Sequence, residues 1–291
     1  NLPSTRVLYG VEVRSCLISR IGKTLLGADL SALENILKFN FQMPYDPEYV
    51  KSQMSDDFDP HLAIACLGGL LSQDEVNFYK IEKEGFDASK YDMTDGLKKL
   101  LSLSNDDKKL KIGDISKIRG KGKGTNYSCQ YGAGKATVAR TAGVDIKTGG
   151  KLHKAYNDMN WSINKIAESQ TVKETSHGKY QLNPLNNIWY RLKTDKDKFS
   201  TLVQGSGSYV LDCWLLYLFS LRDSQGYRLG DSGVKLLASQ HDEMICEFDD
   251  GNDSEVKRLC LDALEMVNKV MKLDIPFGCD VQFGKKYSEI H

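Results

Sequence analysis

The chain has 291 residues, of which 41% are hydrophobic, 27% charged and 9% aromatic, enough for one large or two modest domains with a real core. The 39 Lys and Arg cancel the 39 Asp and Glu, so no global charge points to a polyanion, and the aromatic content excludes a disordered chain. No apolar run reaches a bilayer span. The best candidate, 209–221, is too short and carries Asp212, so a buried soluble helix and no membrane association are expected. The first ten residues hold no apolar signal core and do not start with Met, which reads as a piece of a longer protein. Seven cysteines, an odd number without any C-x-x-C pair, argue against a zinc ribbon or a disulfide framework and place the chain in a reducing, cytoplasmic setting.

In chain order, the β-branched and apolar stretches 11–19 and 24–28 predict two strands. Ser31-Ala32-Leu33-Glu34 has capping-box spacing, so a helix follows to about Phe39 and ends at Met43-Pro44. A helix is predicted over 60–71. The polar, acidic stretch 72–105 reads as an inserted surface segment. Helical spacing continues over 115–132, despite its glycines, and over 151–171. Residues 180–193 are hairpin-like, and 208–221 form a strongly apolar helix. The runs VKLLAS and MICEF flank Gln240-His241-Asp242-Glu243 and predict a hairpin over 234–248 with acids at its tip. An amphipathic helix closes the pattern at 254–271. Strands at both ends with helices between them predict an α+β fold, an antiparallel sheet carrying a largely helical insertion.

Local charge is less balanced than the total. From Lys108 to Lys154 there are 12 Lys and Arg against two acids, Asp114 and Asp145, while 242–265 is rich in acids. Two solvated faces would explain these runs. The basic stretch, however, interleaves its cations with Tyr127 and Tyr131, which suits a site that holds phosphate and base together.

Two constellations carry chemistry. Asp29 follows an apolar strand and Asp242 sits at the turn of an apolar hairpin. A carboxylate at the edge of buried strands is costly unless paired or metal-bound. If the strands share one sheet the two acids converge, which suits two Mg²⁺ ions bridging a phosphoryl transfer. Two acids that simply cap strand ends would give the same spacing. The second constellation is Arg119, Lys123, Tyr127 and Tyr131-Gly132, whose steps of four set the side chains along one helix face. Such a face can hold a nucleoside triphosphate lengthwise, and an exposed basic helix with two core tyrosines is the plainer alternative. Gly120, Gly122 and Gly124 weaken that helix by about 1 kcal/mol each. They make no P-loop, because Gly-x-x-x-x-Gly-Lys-Ser/Thr occurs nowhere in the chain.

Together these pieces resemble family A DNA polymerases, the group of bacterial DNA polymerase I and some bacteriophage replicases. Asp29-Leu30-Ser31-Ala32-Leu33-Glu34 looks like motif A, Arg119 to Gly132 like motif B, and His241-Asp242-Glu243 like motif C. Gln204-Gly205 resembles the minor-groove Gln, and Asp59-Pro60-His61 the Asp-x-His ahead of the fingers helix. Asn1-Leu2-Pro3, Arg14–Ser19 and the terminal His291 resemble flanking segments of the family. Three motifs in the right order carry the resemblance, which covers most of the chain outside about 68–117.

The resemblance implies palm at 1–38, fingers at 39–175 with an insertion at about 68–117, and palm again at 176–291. No thumb and no 3′–5′ exonuclease would lie within this chain. It implies DNA-directed DNA synthesis from dNTP on a primer–template, with an added processivity factor as a further expected partner. Asp29, Leu30 and Asp242 would hold two Mg²⁺, with Glu243 as a secondary acid. Arg119, Lys123 and His61 would grip the triphosphate, Lys123 also donating a proton to pyrophosphate. Tyr127, where many relatives carry Phe, would lie against the sugar, Tyr131 near the templating base, and Glu34 against the 2′ position. Gln204, His241 and Arg14 would contact DNA. Ser200 departs from the Asn usual in the family. Two rivals stay open. A single-subunit RNA polymerase typically has Gly at the position of Glu34 and Ser after His-Asp. A non-catalytic nucleic-acid-binding fragment would need no paired acids.

Overall fold

The computed structural model describes residues 5, 7–224 and 233–290. Asn1-Leu2-Pro3 and His291, matched above to family segments, lie outside them. In chain order the elements begin with α1 (Gly10–Ser15), β1 (Lys23–Leu30), α2 (Leu33–Gln42), α3 (Pro47–Gln53), α4 (Pro60–Leu67) and α5 (Gln73–Glu84). There follow α6 (Asp95–Leu101), α7 (Asn105–Gln130), α8 (Lys135–Ala142), α9 (Ile146–Met159) and α10 (Trp161–Ser169). Then come β2 (Val172–Thr175), β3 (Gly178–Leu182), β4 (Trp189–Leu192), α11 (Lys198–Ser224), β5 (Lys235–Gln240), β6 (Glu243–Asp249), α12 (Asp253–Met271) and β7 (Cys279–Gly284). The fold is α+β, and the chain divides into two compact units, one of Asn1–Phe41, Asn183–Tyr190 and Leu202–His291, the other of Gln42–Leu182 and Arg191–Thr201.

The first unit is built on a four-stranded antiparallel sheet in the order β5-β6-β1-β7. β1 is central and buried along Thr24–Ala28, which explains its unbroken apolar run in place of an alternating pattern. α12 lays Val256, Leu259, Cys260, Ala263, Leu264 and Val267 into the core at helical spacing. The buried Trp214 donates through Nε1 to the Cys260 carbonyl at 2.9 Å. Two asparagines then fix the chain entering β7. Asn40 donates to the Ile275 carbonyl and accepts from its N–H, both at 2.9 Å. Asn268 accepts from the Phe277 N–H at 2.8 Å and donates to its carbonyl at 3.0 Å.

The expected strand at 11–19 is instead helix α1, with only Ile18 making an isolated bridge, to Lys286. Val11, Val13, Leu17 and Ile18 are exposed and Arg14 is the buried member, so β-branched composition did not decide the backbone here.

In the second unit the dominant element is α7, with 26 residues, started by the Ser104 side chain accepting from the Asp107 N–H. It begins ten residues before the expected start at 115. The stretch 72–105, expected as a surface excursion, is folded and contributes core. Val76, Phe78, Tyr79 and Leu97 pack with Leu62, Ala65, Leu71 and Ile115. Lys108–Glu82 at 2.6 Å, Lys111–Glu75 at 2.5 Å and the Tyr79–Ser116 hydroxyl pair at 3.2 Å clamp α5 to α7. Polar residues between the apolar ones hid this face, although Ser72 and Glu75 form a full capping box. The single helix expected at 151–171 is two, α9 and α10. They break at the buried Asn160, whose amide donates to the Tyr156 carbonyl at 3.1 Å. β2 and β3 form an antiparallel hairpin, with Val172 opposite Gln181.

Candidate functional site

Asp29 sits near the end of β1, opposite Glu243 of β6 on one side and Asp280 of β7 on the other. Asp242 lies in the two-residue turn joining β5 to β6. The turn puts His241 at φ 57°, a left-handed conformation that His adopts more readily than most residues. The Leu30 N–H donates to the Asp242 carbonyl at 3.0 Å, which ties the turn to the end of β1. With Asp29 facing Glu243, the next residue after Asp242, the two carboxyl groups are neighbours and each feels the other's charge. Burial first, then the charges of Asp242 and Asp280, pushes the Asp29 carboxyl up to about 6.

Glu243 is 4% exposed and accepts from the Tyr287 hydroxyl at 3.3 Å. Burial raises its carboxyl to about 7, assisted by Asp29 and opposed by the Tyr287 hydrogen bond and by Arg14. Arg14 is 7% exposed, with its guanidinium 4.8 Å from the Tyr287 ring centroid. Asp280 and Tyr287 were not singled out from the sequence. Asp280 accepts from the Ser31 hydroxyl at 3.0 Å. The only sequence signal for it is an acid in a short strand near the end of the chain.

Beside these acids the first unit forms a cleft of about 600 Å³ lined by Leu33, Glu34, Val203, Gln204, His241 and Asp242, among others. It therefore gathers four of the expected site residues, Glu34, Gln204, His241 and Asp242. A pair of neighbouring carboxylates, one of them held well above its ordinary range, favours a bound proton or cation. Mg²⁺ takes one or two carboxylates, with water and phosphate oxygens completing its shell, so Asp29 and Asp242 fit it. Among the described residues no group of three or more His, Cys, Asp or Glu side chains is placed to hold a metal by itself.

In the second unit Arg119, Lys123 and Tyr127 follow one another at single-turn steps on α7. Tyr131 is the C-cap, and Gly132 takes φ 74° just beyond it. Tyr127 is 55% and Tyr131 46% exposed. The Lys123 ammonium lies 5.7 Å from the Tyr127 ring centroid. Arg119 donates through Nε to Asp59 Oδ2 at 2.5 Å, while Asp59 Oδ1 caps α4 by accepting from the His61 and Leu62 N–H groups at 2.8 and 3.0 Å. His61 lies with its ring centroid 6.2 Å from that of Tyr127. Two of the α7 glycines have a packing reason. A Cβ on Gly122 would collide with the His61 carbonyl oxygen, and one on Gly124 would press on Thr141 at 3.2 Å.

The sequence profile of DNA polymerase family A matches residues 108–289. DNA polymerase I of Borreliella burgdorferi is 22% identical over 258 residues, which is 85% of this chain and 26% of that protein. DNA polymerase theta of Drosophila melanogaster is 25% identical over 186 residues, 59% of this chain and 9% of that protein. This chain therefore spans about a quarter or less of these relatives. The polymerase domain of Pol1 from M. smegmatis, solved in complex with DNA primer-template and dNTP, superimposes with a TM-score of 0.62 at 14% identity. The match covers 100% of this chain and 45% of the other, and at that identity it speaks to the fold.

Proposed function

The chain belongs to DNA polymerase family A, and from that premise we propose that it carries the nucleotidyl-transfer site of template-directed DNA synthesis. The observation that carries this reading is the placement of Asp29 and Asp242, from distant parts of the sequence, at the same end of one sheet, where the Leu30 N–H donates to the Asp242 carbonyl. In this reading the first unit is the palm and the second the fingers. Asp29 and Asp242, with the Leu30 backbone, would hold two Mg²⁺. When bound, these ions would supply the Lewis acidity that eases deprotonation of the primer 3′-hydroxyl and the charge that neutralises departing pyrophosphate. Glu243, braced by Tyr287 and Arg14, keeps a secondary carboxyl behind the pair. The burial of Arg14 suits that bracing role better than a place on the DNA surface.

On α7, Arg119 grips a terminal phosphate with its planar fork, and Lys123 places a mobile ammonium beside the phosphates and donates a proton to pyrophosphate. His61 adds a ring N–H donor to the same group. Tyr127 lies against the sugar and Tyr131 near the templating base. Glu34 excludes a 2′-hydroxyl. Gln204 and His241 donate to the minor-groove acceptors that all base pairs share. Glu34 and Glu243 favour DNA over RNA synthesis.

The test is primer extension by the full-length protein with and without Mg²⁺, with Asp242→Asn and Arg119→Ala alongside. Metal-dependent extension lost in Asp242→Asn supports the proposal. Extension that survives Asp242→Asn unchanged would overturn it.

A further inference from the structure

The face of α7 turned toward α4 holds a residue that the motif row does not include. Gly122 removes the side chain where the two helices meet, so the His61 backbone sits directly against α7. One turn later on the same face stands Asn126, whose side-chain amide nitrogen is 3.4 Å from His61 Nδ1. Asp59 anchors the other end of the histidine by accepting from its backbone N–H at 2.8 Å. The imidazole is thus held at its backbone by a helix cap, at one ring nitrogen by an amide, and near the Tyr127 ring at 6.2 Å between centroids.

We propose that Asn126 is a positioning residue for His61: its amide donates to Nδ1 and thereby fixes the ring orientation and the tautomer with the proton on Nε2. With the amide NH₂ toward Nδ1, that nitrogen accepts and the ring proton resides on Nε2, whereas the amide turned by 180° would present its oxygen and select the opposite tautomer. An Nε2–H donor is what a phosphate oxygen requires, whereas the opposite tautomer would present a lone pair to an anion. The chemical class recognised is therefore a polyphosphate, and the step from positioned histidine to nucleotide rests on the function proposed above. The same logic holds wherever a second hydrogen bond sets which imidazole nitrogen faces a ligand.

The experiment labels histidine with ¹⁵N in the full-length protein and reads long-range ¹⁵N–¹H correlations of the imidazoles, with His61→Ala assigning the signal. Wild type is expected to show His61 protonated at Nε2. Asn126→Ala should give a mixture of tautomers. Asn126→Asp, which can only accept, should move the proton to Nδ1. In single-nucleotide incorporation, Asn126→Ala should raise KM for dNTP about 2- to 10-fold, the range of one lost hydrogen bond, with kcat nearly unchanged. It should add nothing in a His61→Ala background. Thermal melts confirm that the variants fold, and the Asp variant serves if the Ala variant does not. A wild-type His61 protonated at Nδ1, a tautomer indifferent to both substitutions, or additive kinetic effects would each overturn the proposal. If the wild-type protein incorporates no nucleotide, the functional reading fails while the imidazole spectra still decide the role of Asn126.

Discussion

Arg119 and Asp59 form an ion pair at 2.5 Å in which the same carboxylate also caps the next helix. Asp59 thus does two separable things. Asp59→Asn keeps an acceptor for the α4 cap, since Asn caps as well as Asp, and loses only the charge on Arg119. Asp59→Ala loses both. Urea unfolding should therefore find Asp59→Ala about 1 kcal/mol less stable than Asp59→Asn. Equal destabilisation by the two variants would show that the cap contributes nothing and the ion pair everything.

The glycines of α7 give opposite predictions within one turn. Gly120 has open space where a Cβ would stand, so Gly120→Ala should stabilise by up to about 1 kcal/mol through helix propensity. Gly122 meets a backbone carbonyl, which cannot swing aside as a side-chain tip can. Gly122→Ala should destabilise by about 1–3 kcal/mol despite the same propensity gain. Thermal denaturation of the two variants separates packing from propensity, and two changes of the same sign would refute the close approach of α4.

The acids predict how metal-free protein responds to pH. Asp29 is raised from 3.8 to about 6 and Glu243 from 4.5 to about 7. A carboxyl with a raised folded pKa favours the native state while protonated, and that contribution is lost as pH climbs through the folded value. Stability without Mg²⁺ should therefore fall between about pH 4 and pH 7. Asp29→Asn should remove part of the fall, roughly 1 kcal/mol once solvent screening is allowed for. Adding Mg²⁺ at pH 8 should raise the melting temperature of wild type and not of Asp242→Asn. A pH response identical in wild type and Asp29→Asn would show that the pair is not strained.

How far the sequence reached depended on whether a residue belonged to a spaced pattern. Asp29 and Asp242 were legible because each follows or interrupts an apolar run, and such runs pair into sheets. Arg119, Lys123 and Tyr127 were legible from their steps of four. Asp280 and Tyr287 were not, because each is a lone residue whose importance comes only from register: β7 must lie beside β1 before Asp280 faces Asp29. Asn126 was hidden because it lies off the motif row, on the face that packs against α4. The helical character of 10–15 and the folded core of 72–105 were masked by local composition that tertiary packing overrode.

The sharpest prediction concerns the sugar. Tyr127 is 55% exposed on α7, one turn beyond Lys123 and beside His61, so in the proposed reading its phenol meets the ribose of a nucleotide whose phosphates lie toward Arg119. A phenolic hydroxyl there can take the space and hydrogen-bonding role of a missing 3′-hydroxyl, whereas Phe leaves that role unfilled. Loss of such a bond in a closed polar site costs about 1–3 kcal/mol, or roughly 5- to 150-fold in selectivity. Glu34 lines the cleft that also holds Gln204 and Asp242, where its carboxylate can crowd a 2′-hydroxyl. The full-length protein should accept dideoxynucleotides readily and reject ribonucleotides. Tyr127→Phe should restore discrimination against dideoxynucleotides with little loss of the normal rate, and Glu34→Ala should admit ribonucleotides. Single-nucleotide incorporation with dNTP, ddNTP and rNTP on one primer–template measures all three. If wild type already rejects dideoxynucleotides as strongly as Tyr127→Phe does, Tyr127 does not lie against the sugar.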